Sequence, residues 1–236
     1  MTDVPVDDPE TLRRILTKTE GLLLDFDGPI CSVFAGFPAS IVADQLRQIL
    51  VESSQVDFPS KVTASGDPFD VLSYAATLGT DPASYVEAAF RAHELEAISM
   101  ATPTPAAHKL IYEWNKSNRP LAIVSNNSTI AIETYLEIHG LNQLVEYVSA
   151  RSNSDLALLK PSPYLINRAI TALGVAATEV AFIGDSTTDI KAAKAANVRI
   201  IGYANKPWKY NQFAALQADA LTSSVATILE NLHSLQ

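Results

Sequence analysis

The sequence predicts an α/β fold: a doubly wound parallel sheet with helices on both faces and a helical insert after the first core strand. Three short runs that are apolar throughout are typical of strands buried on both faces of such a sheet. These runs are residues 21–24, 121–124 and 180–183. Between the first two runs, residues 31–103 show helical patterns and no comparable strand, and this predicts the insert.

The core elements each have their own signal. Asp8 and Pro9 predict the start of a first helix over residues 8–19, since Asp is a preferred N-cap and Pro suits the first helical position. Weaker strands are predicted at residues 145–150 and 198–203. Further core helices are predicted at residues 105–118, 128–139, 161–173 and 186–196.

Inside the insert, helices are predicted at residues 39–53, 67–78 and 82–100, and residues 101–105 are predicted to be a linker back to the core. The predicted domains are therefore an α/β core and a helical cap. The core comprises residues 1–30 and 104–236, and the cap comprises residues 31–103.

The composition excludes several classes of protein. The 236 residues are 47% hydrophobic and 18% charged, which is enough apolar material for a sizeable core. The formal net charge of -9 argues against a nucleic-acid partner, because phosphate backbones require clustered Lys and Arg. Cys31 is the single cysteine, so an intramolecular disulfide and a four-cysteine zinc site are both excluded.

Membrane association is not expected either. The acidic N-terminal segment lacks the basic and apolar regions of a signal peptide, and no apolar run approaches the ~18 residues that span a bilayer. The expectation is a cytoplasmic protein without a membrane partner. The sequence carries no signal for the oligomeric state.

Polar residues follow the three apolar runs at the point where each ends. Asp25 and Ser125 follow the first two runs directly, and Asp185 follows the third after one glycine. In open α/β sheets, ligands bind beyond the carboxyl ends of the strands. The sequence therefore predicts that these three side chains converge on one site.

Asp25 and Asp27 are two residues apart, so on an extended segment they share a face, and Gly28 lets the chain turn directly afterwards. Two close carboxylates do not ionise equally, and their pKa values tend to separate. This pattern predicts one anionic nucleophile and one group that exchanges protons. The alternative interpretation is a turn with surface acids.

A second acidic cluster lies at residues 184–189. Asp185 is a candidate ligand for a hard cation, which prefers oxygen. Asp189 has two interpretations that are compatible. In one it is the partner of Ser186 in a capping box, and in the other it supports a metal ligand.

Anion-binding candidates complete the predicted site. Lys160 precedes Pro161 at the mouth of a helix, where an ammonium suits a phosphate or an aspartyl carboxylate. Ser125 and Asn126 offer donors near a helix N-terminus, which favours anions. The alternatives are a solvated surface lysine and a simple N-cap cluster.

In order along the chain, these segments resemble the four signature motifs of the haloacid dehalogenase-like hydrolase superfamily. Residues 25–28 resemble the first motif, Ser125 the second, Lys160 the third and residues 184–189 the fourth. The helical insert resembles the C1-type cap of the same superfamily. Each motif is weak alone, but four in order are specific.

The resemblance implies a role for each residue. Asp25 forms an aspartyl-phosphate, and Asp27 protonates the leaving alcohol and then activates water. Mg²⁺ is held by Asp25, the main-chain carbonyl of Asp27 and Asp185, with support from Asp189. The transferring phosphoryl oxygens are bound by Ser125, Asn126 and Lys160.

The expected function is a Mg²⁺-dependent phosphatase that acts on a small phosphorylated metabolite. A dehalogenase is disfavoured because such relatives typically lack the second aspartate, here Asp27. A phosphomutase or phosphotransferase on the same site and a non-catalytic phosphate-binding regulatory protein stay open as alternatives. Pro29 departs from the threonine that the superfamily often has there, which removes a hydroxyl and a backbone N–H near the site.

Overall fold

A computed structural model describes residues 4–53 and 57–235. Six of its strands form a parallel sheet with the order β5-β4-β1-β6-β7-β8, and the other two form a small antiparallel ribbon. The strands are β1 (Gly21–Leu24), β2 (Cys31–Ser32), β3 (Thr102–Pro103), β4 (Leu121–Ser128), β5 (Tyr147–Arg151), β6 (Val180–Gly184), β7 (Arg199–Tyr203) and β8 (Ala220–Thr222).

Eleven α-helices occur in the described part of the chain. They are α1 (Pro9–Thr17), α2 (Ala39–Ser53), α3 (Ser60–Ala64), α4 (Pro68–Leu78), α5 (Thr80–Ile98), α6 (Ala107–Asn115), α7 (Thr129–Ile138), α8 (Tyr164–Leu173), α9 (Thr187–Ala195), α10 (Pro207–Ala215) and α11 (Val225–His233). Within the described ranges, none of these helices is both long enough and apolar enough to cross a membrane.

The sheet is covered by helices on both faces, which confirms the predicted doubly wound fold. Successive residues of a strand point to opposite faces. Leu22 and Leu24 of β1 accordingly join the core formed with α1, α6, α7 and α11, and Leu23 joins the core formed with α8, α9 and α10. The apolar run of β1 is continuous because both of its faces are buried.

Helices α2 to α5, here called the insert, lie between β2 and β3 in the chain and have an apolar core of their own. The helices predicted at residues 39–53, 67–78 and 82–100 are present with small shifts of their ends. The division into a core and a cap at residues 31–103 stays a prediction.

The linker predicted at residues 101–105 is wrong in one respect. Thr102 and Pro103 form β3, which pairs with Ser32 and Cys31 of β2. Two residues are too few for an alternating pattern, and a proline argues against a strand unless the strand is an edge. This pairing joins the two ends of the insert side by side.

Candidate active site

The carboxyl ends of β1, β4 and β6 meet at a cleft of ≈ 340 Å³. Its lining includes every predicted site residue except Asp189, which is fully buried and contacts Lys160. The predicted residues in the lining are Asp25, Asp27, Ser125, Asn126, Lys160 and Asp185. Neighbouring parallel strands have their carboxyl ends at the same edge of the sheet, so Asp25 and Asp185, which are 160 positions apart in sequence, lie close together.

A buried lysine joins two of these carboxylates. Nζ of Lys160 lies 2.8 Å from Oδ1 of Asp25 and 2.6 Å from Oδ1 of Asp189. Burial disfavours the charge of Lys160, but the two carboxylates outweigh it and raise its pKa. The alternative of a solvated surface lysine is therefore wrong, because only 3% of this side chain is exposed.

Asp25 has an unfavourable environment for its charge. Burial raises its pKa well above the usual range, the neighbouring Asp189 raises it further, and Lys160 opposes both effects. Its Oδ1 also accepts a hydrogen bond of 2.7 Å from the Phe26 N–H. A second cation beside Asp25 would favour the anionic form that a nucleophile needs.

The acidic residues fit a divalent cation. Asp25, Asp185 and Asp189 each offer an oxygen, and these atoms lie within 4.8 Å of one another. An all-oxygen donor set is the kind that Mg²⁺ prefers. Gly28 has φ +106°, and a Cβ atom there would meet Cγ of Asp185 at 2.4 Å, so only glycine lets the chain pass this carboxylate.

Asp189 forms the predicted capping box. Its Oδ2 accepts hydrogen bonds from the N–H groups of Asp185 and Ser186, at 3.0 and 2.9 Å, and Ser186 Oγ accepts from the Asp189 N–H. The carboxylate thus fixes the loop that carries Asp185 and also contacts Lys160.

Asp27 lies between β1 and β2 at the side of the cleft. Burial raises its pKa to about 6, although a hydrogen bond of 2.9 Å from the Val33 N–H opposes the increase. Part of the Asp27 population therefore carries a proton near neutral pH, which suits a group that both donates and accepts protons.

A reciprocal amide pair links the segment before α8 to the irregular end of β4, residues 125–128, which is here called the β4 loop. Asn126 Nδ2 donates to the Lys160 carbonyl at 3.1 Å, and the Lys160 N–H donates to Asn126 Oδ1 at 2.8 Å. Ser125 Oγ donates to Oδ1 of Asn127 at 3.1 Å. The side chain of Asn126 therefore holds the lysine loop in place beside Ser125.

Sequence reasoning missed Lys209 of α10. Its Nζ lies 2.6 Å from Oδ2 of Asp185, and 9% of its side chain is exposed. Burial raises the pKa of Asp185, and Lys209 opposes the increase. The available signal was that α10 follows β7, whose carboxyl end also faces this edge of the sheet.

The insert supplies another part of the lining that was missed. Asp67 caps the N-terminus of α4 by accepting a hydrogen bond of 2.9 Å from the Phe69 N–H, and both residues line the cleft together with Ser73. Phe34 packs against Phe90, at 6.5 Å between ring centroids, and belongs to the contact between insert and core.

Comparison with known proteins identifies the family. The family model described as haloacid dehalogenase-like hydrolase matches residues 43–203, which is more than half of the chain. The chain therefore belongs to the haloacid dehalogenase-like hydrolase family, as the four motifs predicted.

Several relatives cover different shares of the chain. Phosphoglycolate phosphatase of Pectobacterium atrosepticum is 27% identical over 225 residues, covering 91% of this chain and 92% of the relative. Phosphoglycolate phosphatase of Photobacterium profundum is 33% identical over 89 residues, so this match spans only 38% of each chain. Crystalline CbbY from Rhodobacter sphaeroides, in complex with phosphate, superposes with a TM-score of 0.68 at 19% identity, covering 91% of this chain and 99% of that one. At this identity the likeness shows the fold.

Proposed function

We propose that this chain is a Mg²⁺-dependent phosphatase that hydrolyses a small phosphate monoester through an aspartyl-phosphate on Asp25. The observation that carries the proposal is the buried Asp25 carboxylate, 2.8 Å from Lys160, at the floor of a cleft that it shares with Asp27 and Asp185. Membership of a hydrolase family and relatives named phosphoglycolate phosphatase support it.

In the first step, a carboxylate oxygen of Asp25 attacks phosphorus, and the bond from phosphorus to the alcohol oxygen breaks. Asp27 in its protonated form donates its proton to the departing alkoxide. A pKa of about 6 leaves this proton available near neutral pH. The products are the free alcohol and an aspartyl-phosphate.

In the second step, Asp27 accepts a proton from a water molecule as the water oxygen attacks phosphorus. The bond from phosphorus to the Asp25 oxygen then breaks, which releases inorganic phosphate and regenerates the carboxylate. One residue serves both steps because the first leaves it deprotonated and the second returns its proton.

Lys160 supplies a fixed positive charge to this sequence. Its ammonium lies against Asp25 and is charged at all physiological pH values, so it binds the phosphoryl oxygens as well as the nucleophile. Ser125 contributes a hydroxyl donor at the same edge, and Asn126 supports the site by holding the Lys160 loop in place.

Mg²⁺ would be held by Asp25, Asp185 and the main-chain carbonyl of Asp27, with Asp189 supporting the loop, and would offset the repulsion between nucleophile and phosphate. Burial raises the pKa values of both Asp25 and Asp185, and a divalent cation beside them would favour their anionic forms.

The insert would act as a cap over the cleft. Asp67, Phe69 and Ser73 line the cleft from its side, so they would contact the alcohol part of the substrate. A cleft of ≈ 340 Å³ suits a small monoester. The names of the relatives make 2-phosphoglycolate the first substrate to test.

The test is phosphate release from 2-phosphoglycolate, glycerol phosphate and an aryl phosphate, with Mg²⁺ and with a chelator. Asp25→Asn should lower turnover by at least about 10³-fold, since an amide is a poor nucleophile. Asp57→Asn, at an exposed position, is the matched control and should be unchanged. Full activity in Asp25→Asn would exclude the aspartyl-phosphate route.

A further inference from the structure

A buried ion cluster joins the insert to the core. Arg151 at the end of β5 pairs through Nη1 with Glu87 and through Nη2 with Glu94, and both glutamates lie on α5. The side chains of Arg151 and Glu94 are fully buried, and Glu87 is 6% exposed. Buried charges of this kind are costly unless every partner is satisfied, so their geometry is tightly specified.

Glu94 also contacts the loop at the end of β4. Its Oε1 accepts a hydrogen bond of 2.9 Å from Asn127 Nδ2, and its Oε2 accepts one of 3.1 Å from the Ser128 N–H. Arg151 Nε donates to the Asn126 carbonyl at 3.0 Å. The glutamate and its arginine thus hold three consecutive residues of this loop.

This end of β4 needs these partners because its pairing with β5 is irregular. The register of β4 against β5 is interrupted between Ser125 and Ser128, so the intervening backbone lacks regular strand pairing. A buried N–H without an acceptor is unfavourable. Glu94 supplies the missing acceptor for Ser128 from outside the core sheet.

The contact continues into the cleft. The Asn127 N–H donates to Ser125 Oγ at 3.2 Å, and Ser125 Oγ donates to Asn127 Oδ1 at 3.1 Å. Asn127 and Ser125 both line the cleft. A chain of hydrogen bonds therefore runs from Glu94 through Asn127 to the hydroxyl of Ser125.

We propose that Glu94 is a positioning residue of the insert, which fixes the loop of Ser125, Asn126 and Asn127 in the orientation that receives the phosphoryl group. The proposal rests on the proposed function, since it assigns phosphate binding to this loop. Glu87 provides a matched comparison, because it pairs with the same arginine but, among the described residues, makes no hydrogen bond to the loop.

The experiment compares Glu94→Gln with Glu87→Gln. Each variant removes one carboxylate from Arg151, so both should lower Tm, and Glu94→Gln should lower it more because Glu94 also accepts hydrogen bonds from Asn127 and Ser128. Only Glu94→Gln places an amide N–H₂ group against the loop donors, which are Asn127 Nδ2 and the Ser128 N–H. At least one of these donors is then left without an acceptor. It should weaken the binding of inorganic phosphate, measured calorimetrically with Mg²⁺ present, by about tenfold, whereas Glu87→Gln should change it less than about twofold.

Two further variants keep the test decisive. Glu94→Asp retains the charge beside Arg151 but shortens the reach to the loop, so it should weaken phosphate binding even where Glu94→Gln folds poorly. In the background of Asn127→Ala, removal of the Glu94 carboxylate should weaken phosphate binding less than it does in wild type, since Glu94 and Asn127 act through the same chain of hydrogen bonds.

The outcomes separate the two proposals. Wild-type protein that neither binds nor releases phosphate would overturn the proposed function and this inference together. Phosphate binding by wild type with equal affinities in Glu94→Gln and Glu87→Gln would overturn the positioning role alone, and so would full additivity with Asn127→Ala.

Discussion

The carboxylate of Asp185 would have to bind two cations, the ammonium of Lys209 and the proposed Mg²⁺. Lys209 pairs with its Oδ2 at 2.6 Å, and the same carboxylate belongs to the oxygen cluster with Asp25 and Asp189. An ammonium and a divalent cation repel each other at such distances, and the repulsion is strong where water is excluded. Lys209 is therefore expected to lower the affinity of the cluster for metal.

Lys209→Met, which keeps an unbranched side chain one atom shorter than lysine but removes the charge, should lower the Kd for Mg²⁺ by about tenfold. Isothermal titration of the protein with Mg²⁺ alone checks this without any assay of turnover. Lys206→Met is the control, because Lys206 is an exposed lysine at the start of the same helix. Weaker Mg²⁺ binding in Lys209→Met would show that Lys209 orients Asp185 and does not compete with the ion.

Among the elements, helix α4 begins directly at the cleft. Asp67 caps it and lines the cleft at the same time. Burial raises the pKa of Asp67, and the hydrogen bond from the Phe69 N–H opposes the increase. Under the proposed function, the insert would bring a carboxyl group toward the alcohol part of the substrate, where its charge would disfavour a substrate carboxylate.

Asp67→Asn keeps the N-cap, since Asn caps helices as well as Asp does, and removes only the charge. We expect kcat/KM for 2-phosphoglycolate to rise about fivefold relative to glycerol phosphate. Asp70→Asn is the control, because Asp70 pairs with Ser65 and is not part of the cleft lining. Equal changes for both substrates would contradict a charge effect.

The elements also show how far local patterns predict this fold. Continuous apolar runs identified β1, β6 and the first four residues of β4, because burial on both faces leaves no polar position in these segments. The topology of a parallel sheet brings the polar residues that follow these runs, Asp25, Ser125 and Asp185, to one cleft, as predicted. Helices α10 and α11 and strand β8 received no prediction, and β8 is only three residues long.

Lys209, Glu94 and Arg151 were missed for a different reason. Arg151 and Glu94 are 57 positions apart in sequence, and Lys209 is 24 positions from Asp185. Their significance depends on tertiary pairing, and an isolated Lys, Glu or Arg is on average a surface residue. Local periodicity carries no information about such pairs.

At the scale of the whole molecule, the N-terminal segment secures the edge of the sheet. Val6 bridges to Leu221 of the edge strand β8, and the Asp7 N–H donates to the Leu221 carbonyl at 2.9 Å. The Asp7 carboxylate accepts hydrogen bonds from Thr222 Oγ1, the Ser223 N–H and Ser223 Oγ, at 2.7, 2.9 and 2.5 Å. An exposed strand edge is thereby partly covered.

Asp7→Asn should lower the free energy of unfolding by about 1–2 kcal/mol at pH 7. Burial acts to raise the pKa of Asp7, but the hydrogen bonds from Ser223 and Thr222 outweigh it, so its pKa lies below the usual value of 3.8. The stabilisation is therefore fully present above pH 3.8 and is lost as the pH falls through the folded-state pKa.

Urea unfolding of wild type and Asp7→Asn along an acid series measures this difference. The two curves should converge at the acid end, while Asp57→Asn, at an exposed position, should match wild type throughout. A constant gap at every pH would show that the Asp7 carboxylate charge contributes nothing.

The ribbon of β2 and β3 makes the chain leave and rejoin the sheet at one point. Cys31 pairs with Pro103, and Thr104 donates through its N–H to the Ile30 carbonyl and through its hydroxyl to the Gly28 carbonyl, at 2.9 and 2.5 Å. Closing a loop between fixed neighbouring ends costs only slightly more as the loop lengthens. Helical segments of quite different length and sequence would therefore be interchangeable at this junction, and under the proposed function substrate preference could diverge or be engineered while the sheet and its aspartates keep one chemistry.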